Sequence, residues 1–253
     1  MTDLRAAAAR ALACLDLTNL DDACDAAAID ALCARARTAH GPVAAVCIWP
    51  AFVVQAHELL AGSGIRVATV VNFPSGDDDV LSVRTATRQV IVDGADEVDM
   101  VVPWRALAAG EHGAIAATVY EVKEAARNRK LKAILETGEL GDPNLIHRAA
   151  DEALAGGADF LKTSTGKVPV NATPEAAAIL LDAIRDSGRD VGLKAAGGVR
   201  TTGDAALYLD LCDRTMGEGW ATREHFRIGA SGVLTALLAT LDGAEAPAAA
   251  RGY

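Results

Sequence analysis

Lys162 and Lys194 each stand inside a strand-like apolar run, a few residues ahead of a glycine turn. The runs are Phe160-Leu161-Lys162-Thr163-Ser164-Thr165-Gly166-Lys167 and Val191-Gly192-Leu193-Lys194-Ala195-Ala196-Gly197-Gly198. Lysine is almost never fully buried unless it is paired. Stripped of water and set beside a second cation, it gives up its proton more readily and becomes an amine nucleophile near neutral pH. The two lysines are 32 residues apart, about one strand–helix unit, which predicts adjacent parallel strands roughly 4.8 Å from each other. At that spacing two ammonium groups repel, and one becomes easier to deprotonate. The alternative is a pair of structural lysines neutralised by buried carboxylates. The pattern by itself leaves both readings open.

Asp99, in Glu97-Val98-Asp99-Met100-Val101, is a carboxylate inside an apolar run and needs a partner to stay ionised. Paired with Lys194 it could shuttle protons; paired with an arginine it would be a structural ion pair. Asp16, in Leu15-Asp16-Leu17-Thr18, is a weaker candidate, with a helix N-cap as its ordinary reading. Three glycine turns follow strand-like runs: Gly166-Lys167, Gly197-Gly198 and Gly229-Ala230-Ser231-Gly232. Glycine lets backbone N–H groups approach an anion, a helix N-terminus adds positive potential, and Lys167 would add a local charge. Ordinary strand-to-helix turns are the alternative. Gly166-Lys167 is not a P-loop, because Leu161 stands where the upstream glycine would be. The five histidines have no ligand-like spacing, so no metal is expected. Cys47 sits at the end of a strand-like run and could face a pocket, although a buried structural cysteine is the commoner case.

The elements that must position these residues alternate. Short apolar runs at 43–49, 66–73, 97–102, 132–137, 159–165, 192–196 and 226–230 read as strands, several of them apolar on both faces as in a covered parallel sheet. Helical segments are expected near 51–62, 77–94, 105–129, 143–156, 174–187, 203–212 and 232–241. Asp142-Pro143 and Thr173-Pro174 each place a capping residue before a proline at the first helical position. This is the βα signature. Seven strands are visible; an eighth near 213–216 has little support from the pattern. Two further helices, near 3–14 and 25–39, are expected ahead of the first strand. The expected fold is α/β, a single-domain (β/α)8 TIM barrel with extra N-terminal helices over 1–242. An open doubly wound sheet is the second choice, disfavoured because no G-x-G-x-x-G follows the first strand. Residues 243–253, rich in Ala and Pro, read as a flexible tail ending in Tyr253.

A chain of 253 residues that is 51% hydrophobic can bury one large core. Its net charge of −10 argues against a nucleic-acid surface, so any anionic ligand needs a local basic cluster. Five cysteines without a C-x-x-C argue for a reducing cytoplasm. No signal-peptide pattern occurs, and no apolar run reaches the roughly 18 residues of a membrane span, so no membrane partner is expected.

Taken together, the motifs resemble those of the deoxyribose-phosphate aldolases along nearly the whole chain. They include Asp16-Leu17-Thr18, Cys47-Ile48-Trp49-Pro50, Asn72-Phe73-Pro74, Gly94-Ala95-Asp96-Glu97-Val98-Asp99 and Leu135-Glu136-Thr137-Gly138-Glu139-Leu140. They continue through Phe160–Val168, Asn171-Ala172-Thr173-Pro174-Glu175, Lys194–Thr201 and Arg227-Ile228-Gly229-Ala230-Ser231. The resemblance implies a βα barrel and a class I, metal-free, cofactor-free aldolase. Such an enzyme reversibly cleaves 2-deoxy-D-ribose 5-phosphate to D-glyceraldehyde 3-phosphate and acetaldehyde. It gives Lys162 the Schiff-base role, Lys194 the perturbing role, Asp99 the proton relay and Tyr253 a proton-donor role. Substrate contacts would come from Asp16, Thr18, Cys47 and Thr163, and from Gly166, Lys167, Gly197, Gly198, Gly229, Ser231 and Gly232 at the turns. A homodimer is one assembly it allows. Ala195 stands where proline is common, and Gly232 replaces a frequent serine, removing one hydroxyl donor. Another class I barrel aldolase of the transaldolase kind, or a non-catalytic phosphosugar-binding barrel, is the alternative.

Overall fold

Leu15 and Leu17 alternate with Asp16 and Thr18, and this period-two run forms a strand, β1 (Leu15–Asn19). Seven more barrel strands follow: β2 (Ala45–Ile48), β3 (Arg66–Val71), β4 (Glu97–Val101), β5 (Lys130–Ile134), β6 (Phe160–Lys162), β7 (Gly192–Ala196) and β8 (Phe226–Ala230). All pair in parallel with their chain neighbours, and β1 pairs with both β2 and β8, closing the barrel. The computed structural model describes residues 3–77 and 79–244. The helices after the strands are α2 (Ala26–Arg35), α3 (Val53–Leu60), α4 (Val80–Val92), α5 (Ala114–Ala126), α6 (Pro143–Ala155), α7 (Pro174–Ser187), α8 (Thr202–Met216) and α9 (Val233–Asp242). A further helix, α1 (Leu4–Ala13), precedes β1. Among the described residues, no helix is long and apolar enough to cross a membrane.

The barrel agrees with expectation; its first unit does not. The eighth strand is β1, whereas residues 213–216 are the last turn of α8, which runs on until Gly217 takes a positive φ of 107°. Only α1 therefore lies ahead of the barrel, and α2 is the first crossover helix rather than an N-terminal extra. Asp16 is no helix cap: it sits mid-strand and fully buried. The helix expected over 105–129 is split into Trp104–Ala108 and α5, because Gly110 and Gly113 between them adopt φ of 90° and 86°. The proline-led starts hold: Asp142 and Thr173 accept from backbone N–H groups of the first turns of α6 and α7.

Val98, Met100, Leu131, Ala133, Leu161, Leu193 and Ile228 of the strands belong to the main apolar core. The alternate positions carry the polar groups. Register aligns Lys162 with Lys194, Lys194 with Arg227, and Asp99 with Lys132, so these side chains share the barrel interior. Phe160 is buried with them, and the Arg227 guanidinium lies 5.6 Å from its ring centroid. A Cβ at Gly192 would lie 2.3 Å from Cε1 of Phe160 and 2.6 Å from the His225 carbonyl. Gly192→Ala is therefore expected to cost about 1–3 kcal/mol or more through overpacking. A urea melt reads it as a lower midpoint, and adding Phe160→Leu should restore part of the loss.

Candidate active site

Three lysines converge on one carboxylate. Asp99 on β4 accepts from Lys162 Nζ (2.8 Å) and Lys194 Nζ (2.7 Å) on the same oxygen, Oδ2. Its other oxygen accepts from Lys132 Nζ on β5, at 2.8 Å. Lys194 also donates to Asp16 Oδ2 (2.6 Å), and Lys132 lies 2.6 Å from Glu97 Oε2. Arg227 closes the network, with Nη1 2.7 Å from Asp16 Oδ1 and Nη2 2.7 Å from Glu97 Oε1. Lys194 reaches Asp16 and Asp99 because β8 carries Gly229 beside it; a Cβ there would lie 2.9 Å from Lys194 Cε.

Burial would normally discharge such groups, and only mutual pairing keeps them ionised. Burial opposes ionisation of Asp99, but Lys132, Lys162 and Lys194 hold its carboxyl well below the usual range. Asp16 and Glu97 are held down in the same way, chiefly by Lys194 and Lys132 respectively, with help from Arg227. Burial works against the Lys194 ammonium, yet Asp16 and Asp99 push its proton affinity up. Lys132 is raised likewise by Asp99 and Glu97. Lys162 alone moves down. Burial lowers it first, Asp99 opposes, and neighbouring Lys194 lowers it further. It is also the lysine of the three with some exposure, 3% against 0% for the other two. A buried amine whose proton affinity is lowered, beside a carboxylate and an ammonium that two carboxylates hold charged, is equipped to attack a carbonyl.

The chain matches the model of the DeoC/LacD family aldolases over residues 10–240. It belongs to that family. A deoxyribose-phosphate aldolase from Agrobacterium fabrum is 54% identical over 251 residues, covering 98% of this chain and 97% of the relative. Among solved structures, the apo form of a Toxoplasma gondii protein assigned to the deoxyribose-phosphate aldolases superimposes with TM-score 0.87 and 29% identity, covering 96% of this chain and 99% of that one. The deoxyribose phosphate aldolase of Aeropyrum pernix, a tetramer, shares the fold with TM-score 0.76 at 23% identity, over 94% of this chain and 97% of that one.

In this aldolase the structure brings Lys162, Lys194, Asp99 and Asp16 together, and it does so with the two lysines on one oxygen. Both readings of the lysines are present at once: Lys194 is neutralised by buried carboxylates, and Lys162 is the perturbed one. Asp99 pairs with lysines and not with an arginine; Asp16 and Glu97 are the groups that pair with Arg227. Cys47 lies beside the cluster, its Sγ 4.0 Å from Asp99 Oδ2, and burial pushes its thiol up. Thr18 donates to the Asp16 carbonyl at 2.8 Å. Two further residues of the expected substrate site make close contacts within the protein. Thr163 is fully buried and stitches the strand ends, accepting from Ala196 N at 3.0 Å. Gly229 packs against Lys194, as above. The turns stand at the strand C-termini as expected: Gly166, Gly197 and Gly198 have φ of 85°, 79° and 86°, and Gly232 caps α9. A Cβ at Gly197 would also meet Asn171 at 2.8 Å. Lys167 Nζ donates to the Leu20 carbonyl at 2.8 Å, drawing the segment after β1 toward the turn. Tyr253 lies outside the described residues.

Four residues of the cluster's surroundings escape a reading of the sequence: Lys132, Glu97, Arg227 and Glu136. Lys132 had a usable signal, since it precedes Lys162 by 30 residues as Lys162 precedes Lys194 by 32. Glu136 follows β5 with a left-handed φ of 52° and accepts from Thr165 N at 3.0 Å, holding the Gly166 turn; burial raises its proton affinity.

Proposed function

We propose that this aldolase reversibly cleaves 2-deoxy-D-ribose 5-phosphate to D-glyceraldehyde 3-phosphate and acetaldehyde through an imine on Lys162. The observation that carries this reading is the pair of lysine nitrogens on one oxygen of Asp99, with only Lys162 inclined to lose its proton. The amine attacks the C1 aldehyde of the open-chain sugar. Lys194, held protonated, donates to the carbinolamine oxygen, and loss of water leaves a protonated imine. The C3 hydroxyl then yields its proton to Asp99, acting through a water and Lys194, and the C2–C3 bond breaks. Asp99 is a weak base while three lysines hold it, so it passes the proton on and does not store it. Glyceraldehyde 3-phosphate departs, the enamine is protonated at carbon, and hydrolysis releases acetaldehyde. The resemblance to relatives offers Tyr253 for the carbon protonation. Lys167, the paired glycines 197–198 and the Ser231-Gly232 start of α9 suit the phosphate end.

A condensation assay tests the substrate. With acetaldehyde as donor and glyceraldehyde 3-phosphate as acceptor, the product expected is 2-deoxyribose 5-phosphate; transfer of a three-carbon ketone unit instead would favour a transaldolase-like enzyme. Five cysteines with no bridge among them suit a reducing cytoplasm.

Lys194→Met removes the cation beside Lys162 and leaves Asp16 and Asp99 each short of a partner. Lys162 then keeps its proton to higher pH. The acid limb of imine formation is expected to rise by about one pH unit or more, with a stability loss of about 3–5 kcal/mol. A pH series of aldehyde trapping and a denaturant melt check the two effects. An unmoved limb would remove Lys194 from the control of Lys162.

A further inference from the structure

Inside the barrel, four cations (Lys132, Lys162, Lys194, Arg227) share three carboxylates (Asp16, Glu97, Asp99). Fully ionised, the cluster carries one unbalanced positive charge with almost no access to water, and losing a single proton removes it. Arg227 cannot supply that proton, because a guanidinium stays charged in proteins. Lys132 and Lys194 each meet at least two carboxylates, while Lys162 meets one. The balance therefore falls on Lys162. Its surplus originates at the far side of the cluster, where Arg227 forks between Asp16 and Glu97.

We propose that Arg227 and Glu97 are positioning residues that set the charge balance of the barrel interior, and through it the pH at which Lys162 becomes an amine. The inference rests on the reading of Lys162 as the nucleophile. Charged groups reach the cluster from five strands besides β6, which carries Lys162. β1 brings Asp16, β4 brings Glu97 and Asp99, β5 brings Lys132, β7 brings Lys194 and β8 brings Arg227. Two other titratable groups face the cluster, the Cys47 thiol from β2 and Glu136 from the end of β5. Burial raises the proton affinity of both while the Lys162 charge lowers it, and neither lies within ion-pair distance of the four cations, whose close partners are Asp16, Glu97 and Asp99. Arg227 and Lys162 are separated by one intervening strand, through the register pairs Arg227–Lys194 and Lys194–Lys162. A unit charge on the order of 10 Å away, at an effective dielectric near 20, shifts a titration by about one pH unit.

The signs differ between the two residues. Arg227→Met removes a fixed cation, leaves the cluster neutral with every lysine protonated, and makes Lys162 hold its proton. Glu97→Gln removes an anion of the same shape and drives the proton off sooner. The test is the pH dependence of borohydride trapping of acetaldehyde at Lys162, located by peptide mapping, in the intact chain and three variants. The acid limb should rise by about one pH unit in Arg227→Met, fall by about as much in Glu97→Gln, and return toward the parent position in the double variant. Packing damage alone would not move two limbs in opposite directions. Should Arg227→Met not fold, Glu97→Gln decides by itself: a lowered limb supports the proposal and an unmoved one overturns it. Full trapping at Lys162 in all proteins with unmoved limbs overturns the charge balance and leaves the nucleophile standing. An unlabelled Lys162 in the parent chain overturns both.

Discussion

Lys162→Ala is expected to lower kcat for retro-aldol cleavage on the order of 10⁴-fold or more, as loss of a covalent nucleophile does, while the barrel stays folded. The second half follows from the ion pairs. Asp99 keeps Lys132 and Lys194 as donors, and three cations then face three carboxylates with none orphaned. Lys162 is the one cation of the four whose loss leaves every carboxylate with two charged partners no farther than 2.8 Å. Its removal therefore spares stability where loss of Lys194 would not. Lys162→Arg should not rescue turnover, since a guanidinium restores the charge without an attacking amine. Steady-state rates and a thermal melt on the same preparations read both effects. Activity within tenfold of the parent would exclude the imine route through this residue.

Asp99→Asn should separate imine formation from turnover. The substitution keeps the shape and removes the charge on which three ammonium groups converge. Asp99 is the main influence raising the proton affinity of Lys162, so its loss lowers that affinity further. A lower affinity means more free amine at a given pH, and aldehyde trapping at Lys162 should persist to lower pH than in the parent. Turnover moves the other way. Without the carboxylate to relay the C3 proton, kcat is expected to fall about 10²- to 10⁴-fold. Three lysines left around a neutral amide should also cost about 3–5 kcal/mol of stability. Parallel losses of trapping and turnover at every pH would reduce Asp99 to a structural counter-ion.

Lys162, Lys194 and Asp99 were legible as candidates because a charge in the middle of an apolar strand has few harmless explanations. The closed barrel was legible in seven of its strands for a related reason: runs such as Val43 to Ile48, apolar on both faces, fit a covered parallel sheet. β1 was hidden by Asp16 and Thr18, which break its apolar run because their side chains face a polar interior that a sequence does not announce. The rest of the cluster was illegible because its logic is long-range. Arg227 finds Glu97 across 130 residues and Asp16 across 211, and neither separation leaves a local pattern. Thr163 and Gly229 show the converse: both lie in motifs shared with the aldolases, and both are used here to place backbone and Lys194.

Reduction with borohydride in the presence of acetaldehyde, followed by peptide mapping, bears most directly on the account, because it asks which nitrogen forms the covalent bond. A single two-carbon adduct on Lys162, absent from Lys132 and Lys194, is the result predicted by the proton affinities of the three lysines. An adduct on Lys194, or none on any of them, would contradict it.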